Sequence, residues 1–274
     1  MNIIEILKVI LFGIVEGYTE WLPISSTGHL ILVENLVHLN QPEEFFNVFK
    51  VVIQLGAILA IVVLYWHKLW PFSKKKSREQ REDTLVLWAK IVIASIPAAA
   101  IGIPFDDFID SHLSTPTVIG ITLLLYGIIF IVLERIYRGR SFVIKKTSEI
   151  DIKTAFLIGC FQCLSLIPGT SRSGATILGA MLLGCSRGAS AEFSFFLGIP
   201  AMAGASLLKI FKFGLDFTGT QVFILILGMA ISFIVAVYTV KYLMGYIRKH
   251  DFTIFGYYRI VLGIIVLIYF GLLA

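Results

Sequence analysis

Charged residues are scarce in this sequence. They make up 15% of its 274 residues, whereas hydrophobic residues make up 57%, and the mean hydropathy is +0.88. The longest polar stretch, around residues 68–84, is too short to fold alone. These values exclude a soluble globular domain and are typical of a polytopic membrane protein.

Cysteines are few as well, only three in number. Cys160-x-x-Cys163 lies in an apolar segment with no second pair and no histidine nearby, so helix packing explains it better than metal or redox chemistry. Residues 1–10 lack a small-residue cleavage site, and we expect no secretory signal. The net charge of +5 is assigned to loops at a membrane surface, and we expect no nucleic-acid partner.

Six apolar segments are long enough to cross a bilayer: 47–67, 85–104, 115–134, 190–212, 220–243 and 253–273. Two further regions, 4–38 and 154–187, are hydrophobic but are interrupted by Pro23-Ile24-Ser25-Ser26 and Pro168-Gly169-Thr170-Ser171. Interrupted apolar helices predict re-entrant hairpins, whose breaks must be buried in protein or face water. The predicted fold is therefore an all-α membrane protein with six transmembrane helices and two re-entrant helical hairpins.

Basic residues predict the orientation. Loops 68–83, 135–153 and 241–250 are rich in Lys and Arg, whereas loop 105–114 has aspartates and neither Lys nor Arg. Six spans and two hairpins place the basic loops on the cytoplasmic side and both termini on the other side. Lys209 and Lys212, near the outer end of the fourth span, disagree with this topology.

The topology predicts two inverted halves, residues 1–140 and 150–274, within one integral membrane domain. Each half contains one hairpin and three spans, and Gly13-Ile14-Val15-Glu16 parallels Gly159-Cys160-Phe161-Gln162. Inverted repeats with broken helices place a binding site near the midplane, where the two breaks meet.

Glu16 and Glu20 are four residues apart and share one face of a helix. Three interpretations compete for them. They bind a divalent cation such as Mg²⁺ or Ca²⁺, they carry protons or ions in a transporter, or they pair with Lys8 or Lys50.

The hydroxyls of Ser25, Ser26 and Thr27 follow Pro23 and precede an apolar run. At least one of them is expected to cap the next helix, but three are more than a cap requires. His29 then falls in the first turn of that helix, where it is a candidate nucleophile or general acid or base.

A second polar group, Ser171, Arg172, Ser173 and Thr176, opens the helix after the second break. Arg172 offers two parallel hydrogen bonds to phosphate oxygens, and the helix start adds partial positive charge. The two breaks together supply two helix starts, an arginine, several hydroxyls, a histidine and two carboxylates. This set fits an anion and a metal, and a phosphoryl-transfer site needs both.

These motifs resemble those of the undecaprenyl pyrophosphate phosphatases linked to bacitracin resistance. The resemblance covers nearly the whole chain and also includes Gln54-Leu55-Gly56, Gln162-Cys163, Glu192-Phe193-Ser194-Phe195 and Tyr258-Arg259. It implies a multi-pass enzyme of the bacterial inner membrane, open to the periplasmic side, which hydrolyses undecaprenyl pyrophosphate to the monophosphate. This reaction recycles the carrier lipid for peptidoglycan synthesis.

The resemblance also implies roles for individual residues. Glu16 and Glu20 would coordinate the divalent cation, and Arg172 would hold phosphate with Ser25, Thr27, Ser171, Ser173 and Thr176. For the nucleophile, we favour Ser26 with help from His29, while His29 itself and metal-activated water stay open.

Two rival functions are weighed against this one. Acid-phosphatase-like lipid phosphatases need a late histidine, but none follows Arg172 before His250. An ion-coupled undecaprenyl phosphate transporter on the same inverted repeats is the stronger rival. Glu192 is assigned equally to structure and function, and Arg259 is expected to be structural. The apolar, glycine-containing surface permits a homodimer.

Overall fold

The computed structural model describes residues 2–272, so Met1, Leu273 and Ala274, at the ends of the predicted halves and of the sixth span, lie outside the described residues. The predicted all-α class is confirmed, since the regular structure within this range is helical apart from one isolated bridge between Ile144 and Cys185. The α-helices in chain order are α1 Ile3–Thr19, α2 Ser26–Leu36, α3 Glu43–Val52, α4 Gln54–Leu64, α5 Trp66–Leu69, α6 Arg78–His112, α7 Pro116–Tyr137, α8 Ile152–Gln162, α9 Arg172–Leu182, α10 Arg187–Phe213, α11 Gly219–Tyr246 and α12 Thr253–Leu272.

Six helical stretches among the described residues are long and apolar enough to cross a membrane, as predicted: Glu43–Leu64, Arg78–Ile109, Pro116–Tyr137, Arg187–Phe213, Gly219–Tyr246 and Thr253–Gly271. The second is longer than the predicted 85–104. Ser77 and Gln80 form a capping box that starts α6 inside the polar segment. The helix continues past Pro104 to His112, so most of the predicted loop 105–114 is helical.

The two interrupted regions form pairs of short helices. α1 and α2 are separated by residues 20–25, and α8 and α9 by residues 163–171, which include a 3-10 turn, Cys163–Leu166. The first helix of each pair packs against a long helix of the other half: α1 packs on α11, and α8 packs on α6. The inverted repeat itself stays a prediction, as does the re-entrant course of the two pairs.

Close approach of these helices depends on glycine. An added Cβ at Gly17 of α1 would lie 2.4 Å from the Ser232 carbonyl oxygen of α11, and one at Gly159 of α8 would lie 2.1 Å from the Ala94 carbonyl oxygen of α6. Small residues allow apolar helices to approach backbone to backbone, which is a main source of helix association in lipid.

The basic loops lie at one end of the molecule. Lys68 pairs with Glu192 at the start of α10, Lys90 donates to the Ser148 carbonyl, and the Phe252 N–H donates to Glu134. These contacts join the loops before α6, before α8 and before α12. We call this the basic end.

At the opposite end of the molecule, ion pairs account for Lys209 and Lys212, the two lysines that disagreed with the predicted topology. Lys209 and Lys212 of α10 both donate to Asp106 of α6, at 3.2 and 2.8 Å, and Lys212 also pairs with Asp107 at 2.8 Å. Local carboxylates therefore neutralise these lysines, and they carry little weight in a count of orienting charge.

We predict that Gly56→Ala destabilises the fold, because its Cβ would lie 2.1 Å from the Met229 carbonyl oxygen of α11. Overpacking of this kind costs about 2 kcal/mol or more. The measurement is the thermal unfolding midpoint in detergent. Gly245→Ala, where no atom lies within 4 Å of the added Cβ, is the control and should not lower the midpoint. Equal midpoints for the two variants would contradict the packing argument.

Candidate active site

The two helix breaks share an unusual backbone conformation. Ser25 and Ser171 both have φ 73°, and among the described residues they are the only non-glycine residues with positive φ. Each caps the helix that follows, because the Ser25 and Ser171 Oγ atoms accept hydrogen bonds from the Gly28 and Gly174 N–H groups at 3.3 and 3.2 Å. Such strain costs about 1–3 kcal/mol per residue and is concentrated at functional sites.

Arg259 of α12 connects the two breaks. This arginine is fully buried, and it donates to the Pro23 carbonyl of the first break at 3.2 Å and to the Gly169 carbonyl of the second break at 2.8 Å. Thr122 of α7 supports the second break by donating to the Pro168 carbonyl at 2.8 Å. These positions fit the structural role predicted for Arg259.

The central contact of the site joins residues from both breaks. Arg172 at the start of α9 donates through Nη2 to Glu20 Oε1 at 2.9 Å, and Ser26 at the start of α2 donates to Glu20 Oε2 at 2.6 Å. Glu20 is therefore a carboxylate held between a cation and a hydroxyl. The guanidinium also lies over the Trp21 ring, 4.9 Å from its centroid, and donates to the Ser194 carbonyl at 2.7 Å.

Ser173 and Thr176 both have partners within the protein. Both are fully buried. Ser173 donates to the Glu20 and Leu22 carbonyls at 3.2 and 3.1 Å, and Thr176 bonds to Ser194 Oγ at 2.7 Å. Their hydroxyls bond to neighbouring protein groups, and neither residue lines the cavity beside Arg172, so their contact with phosphate stays a prediction.

His29 is not hydrogen-bonded to Ser26. Its Nδ1 lies 2.7 Å from the Ser25 carbonyl oxygen, and its Nε2 lies 2.7 Å from the Tyr258 hydroxyl. Because a carbonyl can only accept, Nδ1 carries a proton, and a neutral ring then accepts from Tyr258 through Nε2. His29 thus supports the strained Ser25 and has no free nitrogen to activate Ser26.

Glu16 lies one turn before Glu20 and is fully buried, and neither of its carboxylate oxygens has a hydrogen-bond partner. Gln162, from the second half, is also buried with an unpartnered Oε1. The interpretation that the glutamates pair with Lys8 or Lys50 is wrong, since Glu20 binds Arg172 while Lys8 pairs with Glu5 and Lys50 with Glu34.

A cavity of about 440 Å³ opens beside this cluster. Its inner lining includes Glu20, Ser25, Ser26, Thr27, Ser171 and Arg172, together with Gln54 and Gln162. It extends between α6 and α10 to Asp106 and Lys209, at the end opposite the basic loops. The arrangement suits an anion at the inner wall and an apolar chain toward α6 and α10, where Ile103 and Leu208 contribute to the lining.

Sequence analysis missed several residues of the site. Trp21 and Ser194 both contact Arg172, and Tyr258 holds His29. Ser194, Tyr258 and Gln162 lie in motifs that carried the family resemblance, which was the available signal, whereas Trp21 gave none. Glu192 lies at the basic end, where it binds Lys68 and Thr147, and these contacts favour the structural interpretation.

The fold and the site define a polytopic membrane protein in which two helix breaks bring Glu20, Ser26 and Arg172 together. The family Bacitracin resistance protein BacA matches residues 9–265, and the chain belongs to this family. The chain is 56% identical to an undecaprenyl-diphosphatase of Enterococcus faecalis over 270 residues, 98% of each chain. It is 54% identical to one of Acetivibrio thermocellus, over 97% of this chain and 98% of the relative. It is 55% identical to one of Limosilactobacillus fermentum, over 99% of both.

We predict that Arg259→Met destabilises the fold, because it leaves the Pro23 and Gly169 carbonyls without their donor. Unsatisfied buried groups of this kind should cost about 3 kcal/mol or more in total. The thermal unfolding midpoint in detergent is the readout. Arg138→Met, at an exposed position, provides the control. An unchanged midpoint for Arg259→Met would contradict the argument that Arg259 holds the two breaks together.

Proposed function

We propose that this protein hydrolyses undecaprenyl diphosphate to undecaprenyl phosphate and inorganic phosphate, recycling the carrier lipid for peptidoglycan synthesis and giving bacitracin resistance. The observation that carries the proposal is the contact of Arg172 and Ser26 with the two oxygens of Glu20 at the inner wall of the cavity. The names of the relatives agree with this activity and give no support to the transport alternative.

Arg172 and the two helix starts would hold the terminal phosphate. The Nε of Arg172 has no hydrogen-bond partner among the described residues, and the first-turn N–H groups of α2 and α9 that their serine caps leave free would add donors. Thr27 and Ser171 line the cavity and add hydroxyl donors. These fixed donors would stabilise the negative charge on the equatorial oxygens while the phosphoryl group is transferred.

Ser26 is the nucleophile in this proposal. Its Oγ would attack the terminal phosphorus, its proton would pass to Glu20 Oε2, and undecaprenyl phosphate would leave. A water would then attack the phosphorus of the phosphoserine, releasing inorganic phosphate and restoring the hydroxyl. Phosphoryl transfer passes through a loose transition state, so the hydroxyl needs little prior deprotonation and a carboxylate 2.6 Å away suffices to orient it.

His29 then acts as a positioning residue. Its hydrogen bond to the Ser25 carbonyl and its contact with Tyr258 fix the turn that presents Ser26. This assignment differs from direct assistance to Ser26, because both ring nitrogens already have partners.

The residues fit a divalent cation. Glu16 has two buried oxygens without hydrogen-bond partners, and Gln162 has one, and hard cations such as Mg²⁺ or Ca²⁺ prefer oxygen ligands. Glu16 and Glu20 would hold the cation, with Gln162 nearby. The described residues contain no group of three or more His, Cys, Asp or Glu side chains that could hold a metal, so substrate oxygens and water would have to supply the remaining ligands. Such a cation supplies charge neutralisation for phosphate oxygens.

The proposed location is the bacterial inner membrane, with the cavity open to the periplasmic side. The cavity reaches the end opposite the basic loops, and basic loops favour the cytoplasmic side. A homodimer stays a prediction.

We predict metal-dependent phosphate release from undecaprenyl diphosphate by the purified protein in detergent. EDTA should abolish release and Mg²⁺ or Ca²⁺ should restore it. Glu20→Ala and Arg172→Ala should each lower kcat/KM at least about a hundredfold, since each removes a preorganised charge. Glu44→Ala, an exposed carboxylate on α3, is the matched control. No release from well-folded protein with any metal would refute the function.

We also predict a phosphoserine intermediate. After acid quenching of a reaction with substrate labelled at the terminal phosphate, the label should remain on Ser26. Ser26→Ala should lose the label and lower kcat at least about a thousandfold, whereas His29→Gln and Tyr258→Phe should cost less and resemble each other. A label that Ser26→Ala retains after alkaline quenching, and loses in acid, would instead identify His29 as the nucleophile.

A further inference from the structure

A second, larger cavity lies at the basic end and shares no lining residue with the first cavity. Its volume is about 680 Å³, and its walls come from α5, the start of α6, the loop before α8, the start of α10 and the end of α11. Five lysines and two carboxylates line it: Lys68, Lys76, Lys90, Lys145, Lys146, Asp83 and Glu192.

One of the carboxylates is already neutralised. Glu192 accepts from Lys68 at 2.8 Å through each oxygen, and also from Thr147 at 2.6 Å. Asp83 is therefore the remaining carboxylate of the lining against the other four lysines. The cavity carries an excess of positive charge.

Two lysines of the lining, Lys76 and Lys90, donate hydrogen bonds only to neutral groups among the described residues. Lys90 is 8% exposed, and its one hydrogen bond is to the Ser148 carbonyl at 3.2 Å. Lys76 donates to Thr84 Oγ1 at 2.6 Å and to the Lys68 carbonyl at 3.3 Å. Lys90 is buried and Lys76 is half-buried, and neither forms an ion pair within 4 Å with a described residue, although Asp151 and Asp83 attract the Lys90 ammonium from a greater distance. An anion in the cavity would therefore stabilise both ammonium groups.

We propose that this cavity binds the phosphate group of an anionic ligand, with Lys76 and Lys90 as inner contacts and Lys145 and Lys146 at the rim. Two sources share that chemistry, an anionic phospholipid headgroup and free phosphate. The apolar side chains of Val86, Leu87 and Met244 in the same lining suit the adjoining part of a lipid. Basic pockets between transmembrane helices at the cytoplasmic face are typical headgroup sites.

The test uses the full-length, delipidated protein in detergent. Phosphatidylglycerol and phosphatidylcholine are titrated against it, and bound lipid is counted by native mass spectrometry. Wild type should bind phosphatidylglycerol in preference to phosphatidylcholine, and Lys76→Gln/Lys90→Gln should weaken that binding at least about tenfold. Lys74→Gln/Lys75→Gln removes the same amount of charge from the loop that carries Lys76, at exposed positions outside the cavity lining, and should leave binding within about twofold.

A second arm separates the two sources. Inorganic phosphate is added in an Arg172→Ala background, which weakens the first site, and the unfolding midpoint is recorded. A rise that Lys76→Gln/Lys90→Gln removes, without lipid preference, identifies free phosphate as the ligand. Lys145→Gln/Lys146→Gln, at exposed positions, repeats the test if Lys90→Gln fails to fold. Equal effects of the cavity and control variants, or no response to either ligand, would overturn the proposal.

Discussion

A broken helix in an apolar protein leaves backbone carbonyls that must find donors, and this requirement organises the molecule. Water is scarce at membrane depth, and each unsatisfied group costs several kcal/mol by the usual estimate of about 2–7. Arg259 donates hydrogen bonds to carbonyls of both breaks, and Thr122 donates to a carbonyl of the second break. Because one side chain serves both breaks, the two cannot move independently, and the groups they present keep a fixed separation.

The candidate site is assembled from the two halves and exists in neither alone. Glu20 and Ser26 come from the first half and Arg172 from the second. Their contact requires α1 to lie on α11 and α8 on α6, which in turn requires glycines at the crossings. Packing and the geometry of the site are therefore coupled. A substitution that separated the helices by the width of one methyl group would also separate the Arg172 guanidinium from the Glu20 carboxylate.

The sequence predicted the six spans, the two breaks and the residues around them, because long apolar runs and buried polar groups are rare enough to be informative. It was less successful where a side chain had several acceptors within reach. Ser173 and Thr176 are hydroxyl residues near a helix start, as Ser26 and Thr27 are, so the sequence does not distinguish the two pairs. In the folded protein, the hydroxyls of Ser173 and Thr176 form hydrogen bonds to neighbouring protein groups. Tyr258, which contacts His29, and Asp106, which binds Lys209, likewise lie more than a hundred residues from these partners, and no local pattern specifies either contact.

Ser25 and Ser171 occupy backbone conformations that glycine would adopt with less strain. Glycine would lower the energy of the turn, but it would also remove the capping hydroxyl and let the chain sample other shapes. The protein thus keeps a locally unfavourable state at two matching points, and the surrounding helices hold it there. Backbone strain and the capping hydrogen bond therefore act in opposite directions on stability at these serines, and a glycine substitution would relieve the first at the expense of the second.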